Sequence, residues 1–464
     1  MRRRVAIMAA AVALAGLPAA AQPAREHTEL VAQLGGVYTG PQAQYVSRVG
    51  QRMAAAAGIR QRCSFTLLDS EVVNAFTAPP GCYVYVTRGL LSIMNSEAEL
   101  AAVLGHELGH VTAQHAQRQR NAEALSGLAA SLIGAATKSN LAGRVASGVA
   151  KLGALSYSRN QEYEADSLAL RYLPQAGYAP DGLTGVLADL QREDAYSARA
   201  RGAGGEVPVW ARTHPLTGDR IARVQAAAAG IPREGLRLEE TPFLLAIDGM
   251  SYDADPVQGL VRGGAYIHPG LRIRFDAPRG FAVANAPEAV RVTGPEGLLA
   301  EFSGGTATSR QLAGYAENVL RAVIRQGRHE MGLPERVTIN GVEAAQVQAR
   351  AFSGGRPVDL IAVAYNLGGD ETYHFVAMAP AGRLDSFRPM FGSFRRLSER
   401  EAGAAAGRRI AVVTVRAGDT AESLAARMAA DTDRLELFRM LNGLAPGEAV
   451  RPGRQVKLVV DGPR

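Results

Sequence analysis

The spacing of apolar positions changes period several times along the chain. Residues 26 to 60 follow a helical period interrupted at Gly35 and Gly36. Alternation then takes over in three short runs, Cys63 to Leu68, Asn74 to Thr77 and Cys82 to Thr87, which read as strands punctuated by Pro79, Pro80 and Gly81. Ser96 and Glu99 form a capping box that opens a long helix running to about Gln119. An Ala/Gly-rich stretch from Leu125 to Leu155 reads as a loose helical hairpin. Helices over about Arg159 to Leu173, stopped by Pro174 and Gly177, and over Gly182 to Arg199 follow.

Past Gly235 strands dominate: Leu271 to Phe275, Glu288 to Val292, Val337 to Ile339, Ala344 to Ala349, Asp359 to Tyr365 and Thr372 to Met378, with one helix from about Ser309 to Gln326. The fold class is therefore α+β and multidomain. A mostly helical domain with a small antiparallel sheet occupies 22–235, and an α+β domain with an antiparallel sheet and no assigned role occupies 236–400. A linker at 401–409 and a β-α-α-β module at 410–464 complete the chain. A length of 464 residues agrees with three domains at roughly 100 to 200 residues each.

Apolar residues make up 47% and charged residues 20%, which excludes a wholly disordered chain. The formal charge of +7 invites a nucleic-acid partner. Residues 1–21 remove that reading. Arg2, Arg3 and Arg4, the apolar run Val5 to Leu17 and the Ala19-x-Ala21 site have the tripartite form of a secretory signal peptide, and its cleavage lowers the charge to +4. The expected compartment is the periplasm, with no nucleic-acid partner. No later stretch offers the roughly 18 apolar residues of a transmembrane span. Export lets Cys63 and Cys82 pair, the alternative being two buried thiols.

The chemistry concentrates in His106-Glu107-Leu108-Gly109-His110. Spacing i, i+4 puts both imidazoles on one helix face, where they can bind one zinc ion, and Glu107 can act as general base on a water in the open coordination position. A third ligand is needed. His115, five residues past His110, points to another side of a continuous helix. On the wheel of the next helix Asn160, Glu164, Ser167 and Arg171 form a solvated stripe, while Glu162 and Asp166 fall on the apolar face with Ala165, Ala169 and Leu173. Buried carboxylates need a cation. Glu162 is therefore expected as third ligand, with Asp166 holding a ligand histidine by its free N–H; the alternative for the pair is a salt bridge to an arginine.

HELGH followed by Glu162-Tyr-Glu-Ala-Asp166 resembles the zinc metalloproteases typified by the CAAX prenyl protease and HtpX, of the gluzincin type, in their soluble periplasmic BepA-like branch. Asn74-Ala75-Phe76, Pro80-Gly81, Arg88 to Leu91, Ser158-Arg159, Thr213-His214-Pro215 and Arg220 extend the match, which covers roughly residues 26 to 235. The resemblance implies ligands His106, His110 and Glu162, base Glu107, and peptide-bond hydrolysis. It also implies that His214 lies beside the zinc, donating to the oxyanion or approaching the metal, with Arg220 pinning it. Cys82 stands where the family often has glycine. A substrate strand would add to the edge formed by Asn74, Ala75 and Phe76, favouring extended or unfolded polypeptide.

In the tail, Gly418-Asp419-Thr420, Ser423-Leu424-Ala425, Asn442-Gly443-Leu444 and Pro452-Gly453 with Val456 resemble a LysM domain, which implies binding of peptidoglycan, the alternative being a module that only packs on the protease. His268, His329 and His374 are expected to be structural. The sequence thus predicts an exported zinc endopeptidase acting on unfolded or misassembled envelope proteins and held near the cell wall. The competing expectation is a chaperone or wall-associated scaffold whose metal site is regulatory or rarely active.

Overall fold

The structure is a computed structural model that describes residues 27–462 except 29, 32–33, 80, 120–156, 202–208, 253–258, 286–288, 325–328, 354–355, 406 and 431–432. Segment 1–21, expected to be a signal peptide, and the Ala/Gly-rich stretch expected to be a helical hairpin lie outside the described residues. Among the described residues no helix is long and apolar enough to cross a membrane.

Helix α1 (Pro41–Ala56) starts with proline at its first turn and buries Tyr45, Val46, Val49 and Met53, an i, i+3/i+4 stripe. Strands β1 (Cys63–Leu68), β2 (Ala75–Ala78) and β3 (Cys82–Thr87) form a sheet in the order β1-β3-β2. The sheet is mixed, not antiparallel: β1 runs parallel to β3, and only β2 and β3 pair antiparallel. Alternation identifies strands but carries no pairing order. The tight return at Gly81, with φ 101°, pairs β2 with β3, and the parallel contact of β1 on the other side of β3 leaves β3 central and β2 at the edge. Cys63 and Cys82 face each other in the parallel register and form a disulfide.

Helix α2 (Arg88–Ile93) leads into α3 (Glu97–Thr112), capped by Ser96 accepting from the Glu99 N–H. Helix α4 (Arg159–Gln175) opens with a capping box from Ser158 and Gln161. These two helices cross closely because α3 offers glycine at 105 and 109. A Cβ on Gly109 would lie 3.1 Å from the Cα of Ala165, and one on Gly105 would lie 3.5 Å from the Cα of Ala169. Small residues four apart on both helices thus let the two backbones approach. Helices α5 (Asp181–Arg201), α6 (Val209–Thr213), α7 (Gly218–Ala229) and α8 (Glu240–Ile247) enclose this pair.

The middle region holds β4 (Leu260–Arg262), β5 (Ala265–His268), β6 (Ile273–Asp276), β7 (Ala282–Asn285), β8 (Val290–Thr293) and β9 (Leu299–Thr306). It continues with α9 (Leu312–Ile324), β10 (His329–Met331), β11 (Glu335–Ile339), β12 (Val342–Ser353), β13 (Arg356–Asn366), β14 (Glu371–Pro380) and β15 (Arg395–Arg396). Its main sheet, in the order β10-β12-β13-β14-β9-β8-β7 with β11 also on β12, is antiparallel. Helix α9 packs Leu312, Ala316 and Leu320 on one face, and aromatic residues including Phe275, Phe302, Phe375 and Phe394 fill the other. A smaller sheet runs β15-β6-β5-β4.

The tail is β16 (Arg408–Thr414), α10 (Ala421–Ala425), α11 (Arg434–Leu441) and β17 (Gln455–Asp461), with the two strands antiparallel. Its apolar face joins the core of the helical domain: Ile410, Leu424, Phe438, Leu441 and Leu458 lie in one cluster with Met94, Leu100, Leu104 and Phe243. The backbone is continuous as well. Ile410 N–H donates to Met250 at 2.8 Å and Gly249 N–H to Ile410 at 2.9 Å. Arg88, fully buried, reaches Asp69 through Nε at 2.8 Å and the carbonyls of Ser251 and Tyr252 through Nη1 at 2.6 and 3.0 Å.

Candidate metal centre

Four elements converge on one point. Helix α3 supplies His106, Glu107 and His110, and α4 supplies Glu162 and Asp166. The α6–α7 connection supplies His214, while α7 supplies Arg220, whose backbone N–H is capped by the Thr217 hydroxyl at 3.2 Å. Spacing i, i+4 on α3 brings His106 Nε2 within 3.0 Å of His110 Nε2. The closely packed α4 then places Glu162 3.4 Å from each of these nitrogens. His214 joins them, its Nδ1 3.2 Å from Glu162 Oε1 and 3.4 Å from His106 Nε2. One ligand atom from each of His106, His110, Glu162 and His214 lies within 4.8 Å of the others.

His106, Glu107, His110 and Glu162 are all buried. Burial works against a charged His106, yet the Glu162 and Asp166 carboxylates outweigh it and push the imidazole up to about 9. Burial holds His110 well below the ordinary histidine range and raises the carboxyl of Glu107. Burial alone would raise Glu162, but the neighbouring His214 and His106 hold it well below the usual carboxylate range. The same contest lowers Asp166 through His106 and Arg220. Arg220 binds Asp166 through Nε and Nη2 at 2.7 and 2.9 Å and Glu162 through Nη1 at 2.8 Å.

Two nitrogens and a carboxylate at one buried point suit zinc. Glu107 fits that use. Its Oε1 is 3.5 Å from His214 Nε2, and its Oε2 is buried without a hydrogen-bond partner. Beside it opens a cleft of about 490 Å³ including its mouth, walled by Leu90, Val103, Leu187, Leu190, Trp210 and Leu216. Asn74 lines the same cleft from the start of the edge strand. It accepts the Thr213 hydroxyl at 3.3 Å and keeps its buried Nδ2 unpartnered. Ala75 and Phe76 continue that strand and are buried. His268, His329 and His374 lie in the middle-region sheets, outside this cluster.

The structure corrects the reading of His115. Helix α3 ends at Thr112, short of Gln119, and Gln114 has φ 54°. This left-handed residue turns the chain back, so His115 faces the His110 side, its Nδ1 2.8 Å from His110 Nδ1. Glu164, expected in solvent, is 42% exposed and pairs with His115 Nε2 at 3.1 Å and Arg118 at 2.9 Å. Tyr157, which nothing in the sequence marks, stacks on His110 with centroids 3.9 Å apart.

Residues 41–228 match the family described as Peptidase family M48. The chain is 30% identical over 199 residues to a putative beta-barrel assembly-enhancing protease of Vibrio cholerae, covering 41% of this chain and 40% of that protein. It is 32% identical over 188 residues to the mitochondrial metalloendopeptidase OMA1 of Schizosaccharomyces pombe, covering 40% and 52%. With metalloprotease YcaL of Escherichia coli it shares 30% identity over 196 residues, covering 39% and 70%. The chain thus spans about two fifths to one half of the first two of these relatives.

Proposed function

We propose, on the premise that the chain belongs to peptidase family M48 and is a zinc metalloendopeptidase, that it cleaves unfolded or misassembled envelope proteins after export to the periplasm. The convergence of His106, His110 and Glu162 beside a buried Glu107 carries this reading. In it these three residues hold the ion. Zinc supplies Lewis acidity toward the scissile carbonyl and acidifies water. Glu107 takes the water's proton at its unpartnered Oε2 and passes it to the leaving amine. That Oε2 is buried and has no protein partner, so it is available to the water. Asp166 accepts from His106 Nδ1 at 2.9 Å, which leaves Nε2 free to ligate, and Arg220 holds Asp166 in place.

A substrate strand would pair along Asn74, Ala75 and Phe76, with the free Asn74 Nδ2 donating to one of its carbonyls. The apolar cleft beside Glu107 would take a large aliphatic or aromatic side chain. Relatives named beta-barrel assembly-enhancing proteases support envelope substrates. The LysM-like tail adds a glycan tether to this reading, since its loops at 416–418 and 445–449 remain exposed.

His214 favours a second reading, in which the metal site is regulatory or rarely active. Four protein donors close a tetrahedral site, whereas a catalytic one keeps a position for water. Cleavage would then require His214 to withdraw toward Glu107 or a substrate carbonyl, leaving a chaperone-like resting form. Substrate trapping tests the enzyme. Glu107→Gln should keep one zinc, bind a denatured protein and lose cleavage; full cleavage at full zinc content would end the assignment.

A further inference from the structure

The two histidines of α3 are oriented by different partners. Each can ligate through Nε2 only if that nitrogen carries no proton, so each needs an acceptor for Nδ1–H. His106 has one directly in Asp166, backed by Arg220. The Nδ1 of His110 instead meets Nδ1 of His115, at 2.8 Å. We propose that His115 is the positioning residue for His110, and that the surface carboxylate Glu164 fixes the direction of the hydrogen bond between the two rings.

The proton arrangement follows from the acceptors. Glu164 Oε2 lies 3.1 Å from His115 Nε2 and is also bound by Arg118 Nη1 at 2.9 Å. An ionised carboxylate with an arginine beside it only accepts, so His115 carries its proton on Nε2 and donates outward. Nδ1 of His115 is then a lone pair aimed at His110, and it can only accept. His110 must therefore carry its proton on Nδ1, which leaves Nε2 open toward His106 and Glu162. The reverse orientation fails at both ends. It would set a lone pair of His115 against the Glu164 carboxylate and put a proton on the His110 nitrogen that faces the centre.

The surrounding chain is built to hold this contact. The left-handed Gln114 turns His115 back, Gln161 Nε2 donates to the His115 carbonyl at 3.4 Å, and Tyr157 stacks on the His110 ring. His115 is fully buried, whereas Glu164 and Arg118 are 42% and 55% exposed. One metal-facing histidine is thus oriented from inside the fold and the other from its surface.

The inference rests on zinc binding at His110, and zinc affinity of the full chain, measured against a competing chelator, tests both. His115→Leu keeps the volume and removes the acceptor; affinity should fall about 10- to 100-fold. His115→Gln, whose amide oxygen can accept, should recover part of the loss at equal melting temperature, which a purely structural role would not produce. Glu164→Ala, at the exposed end, should weaken binding several-fold, and it should be silent in the His115→Leu background. The cobalt-substituted protein should change its ligand-field spectrum in the same order. Wild-type affinity in His115→Leu, with zinc binding intact, would overturn this inference alone. Failure of the wild-type chain to bind zinc would overturn the metal reading and this inference with it.

Discussion

Lys457, on the last strand, donates its ammonium to the carbonyl of Ser92 at 2.9 Å, 365 residues earlier, and to Met94 at 2.5 Å. The side chain is fully buried, and Glu99 at the start of α3 and Asp189 on α5 supply the opposing charge. Burial lowers this lysine, and burial together with the neighbouring Asp189 raises Glu99. The tail thereby locks the turn from which the HELGH helix starts.

Replacing Lys457 with Met strands two buried carbonyls and removes the cation that faces Glu99, while Asp189 keeps Arg192 at 2.6 Å. Stability should drop by about 3 to 5 kcal/mol. Urea unfolding of the full chain measures this, and an unchanged midpoint would show that the tail is not part of the fold's stability.

The Cys63–Cys82 bridge closes a loop with a sequence separation of 19. Restricting a loop of that size in the unfolded chain is worth about 3 kcal/mol. The double variant Cys63→Ala with Cys82→Ala should lose roughly that amount under oxidising conditions and become insensitive to dithiothreitol. Equal stability with and without reductant in the wild type would refute the estimate.

The cleft beside Glu107 predicts selectivity. Leu187→Trp fills it from the α5 wall, so kcat/KM should fall at least about 10-fold for peptides with a large apolar residue next to the cut. Peptides with alanine or glycine there should be affected little. Uniform loss across a peptide library would place the discriminating contacts elsewhere.

His374 gives the middle region a pH dependence. Burial lowers it to about 4 from the ordinary 6.5, with the Tyr315 hydroxyl 2.8 Å from Nδ1 and that of Ser303 3.1 Å from Nε2. Folding favours the neutral ring, so the unfolded chain binds the extra proton. Stability is full above about pH 6.5 and declines as pH falls toward 4, by up to about 3 kcal/mol at full burial and less for a partly exposed ring. His374→Gln should flatten the midpoint-versus-pH curve over that window; an identical slope would exclude His374 as its source.

Local period carries far in this chain. The pairing of His106 with His110 is a property of any helix, and Glu162 and Asp166 are legible because carboxylates on an apolar face need partners. Strands β6, β8 and β11 to β14 of the middle region follow from alternation in the same way, whereas β4, β5, β7, β9, β10 and β15 do not. What alternation lacks is pairing order, so the parallel contact of β1 with β3 emerges only when the chain closes. His115 depends on one backbone torsion at Gln114, which no side-chain pattern announces, and Tyr157 reaches His110 only through the fold. The buried contacts of Lys457 with Ser92 and Met94 exist only because the tail's core joins that of the helical domain. Short-range geometry is set by residue type and spacing, and the sequence alone determines it. The orienting partners of His110 and the anchoring of α3 depend on contacts between residues far apart in the chain, which tertiary packing alone decides.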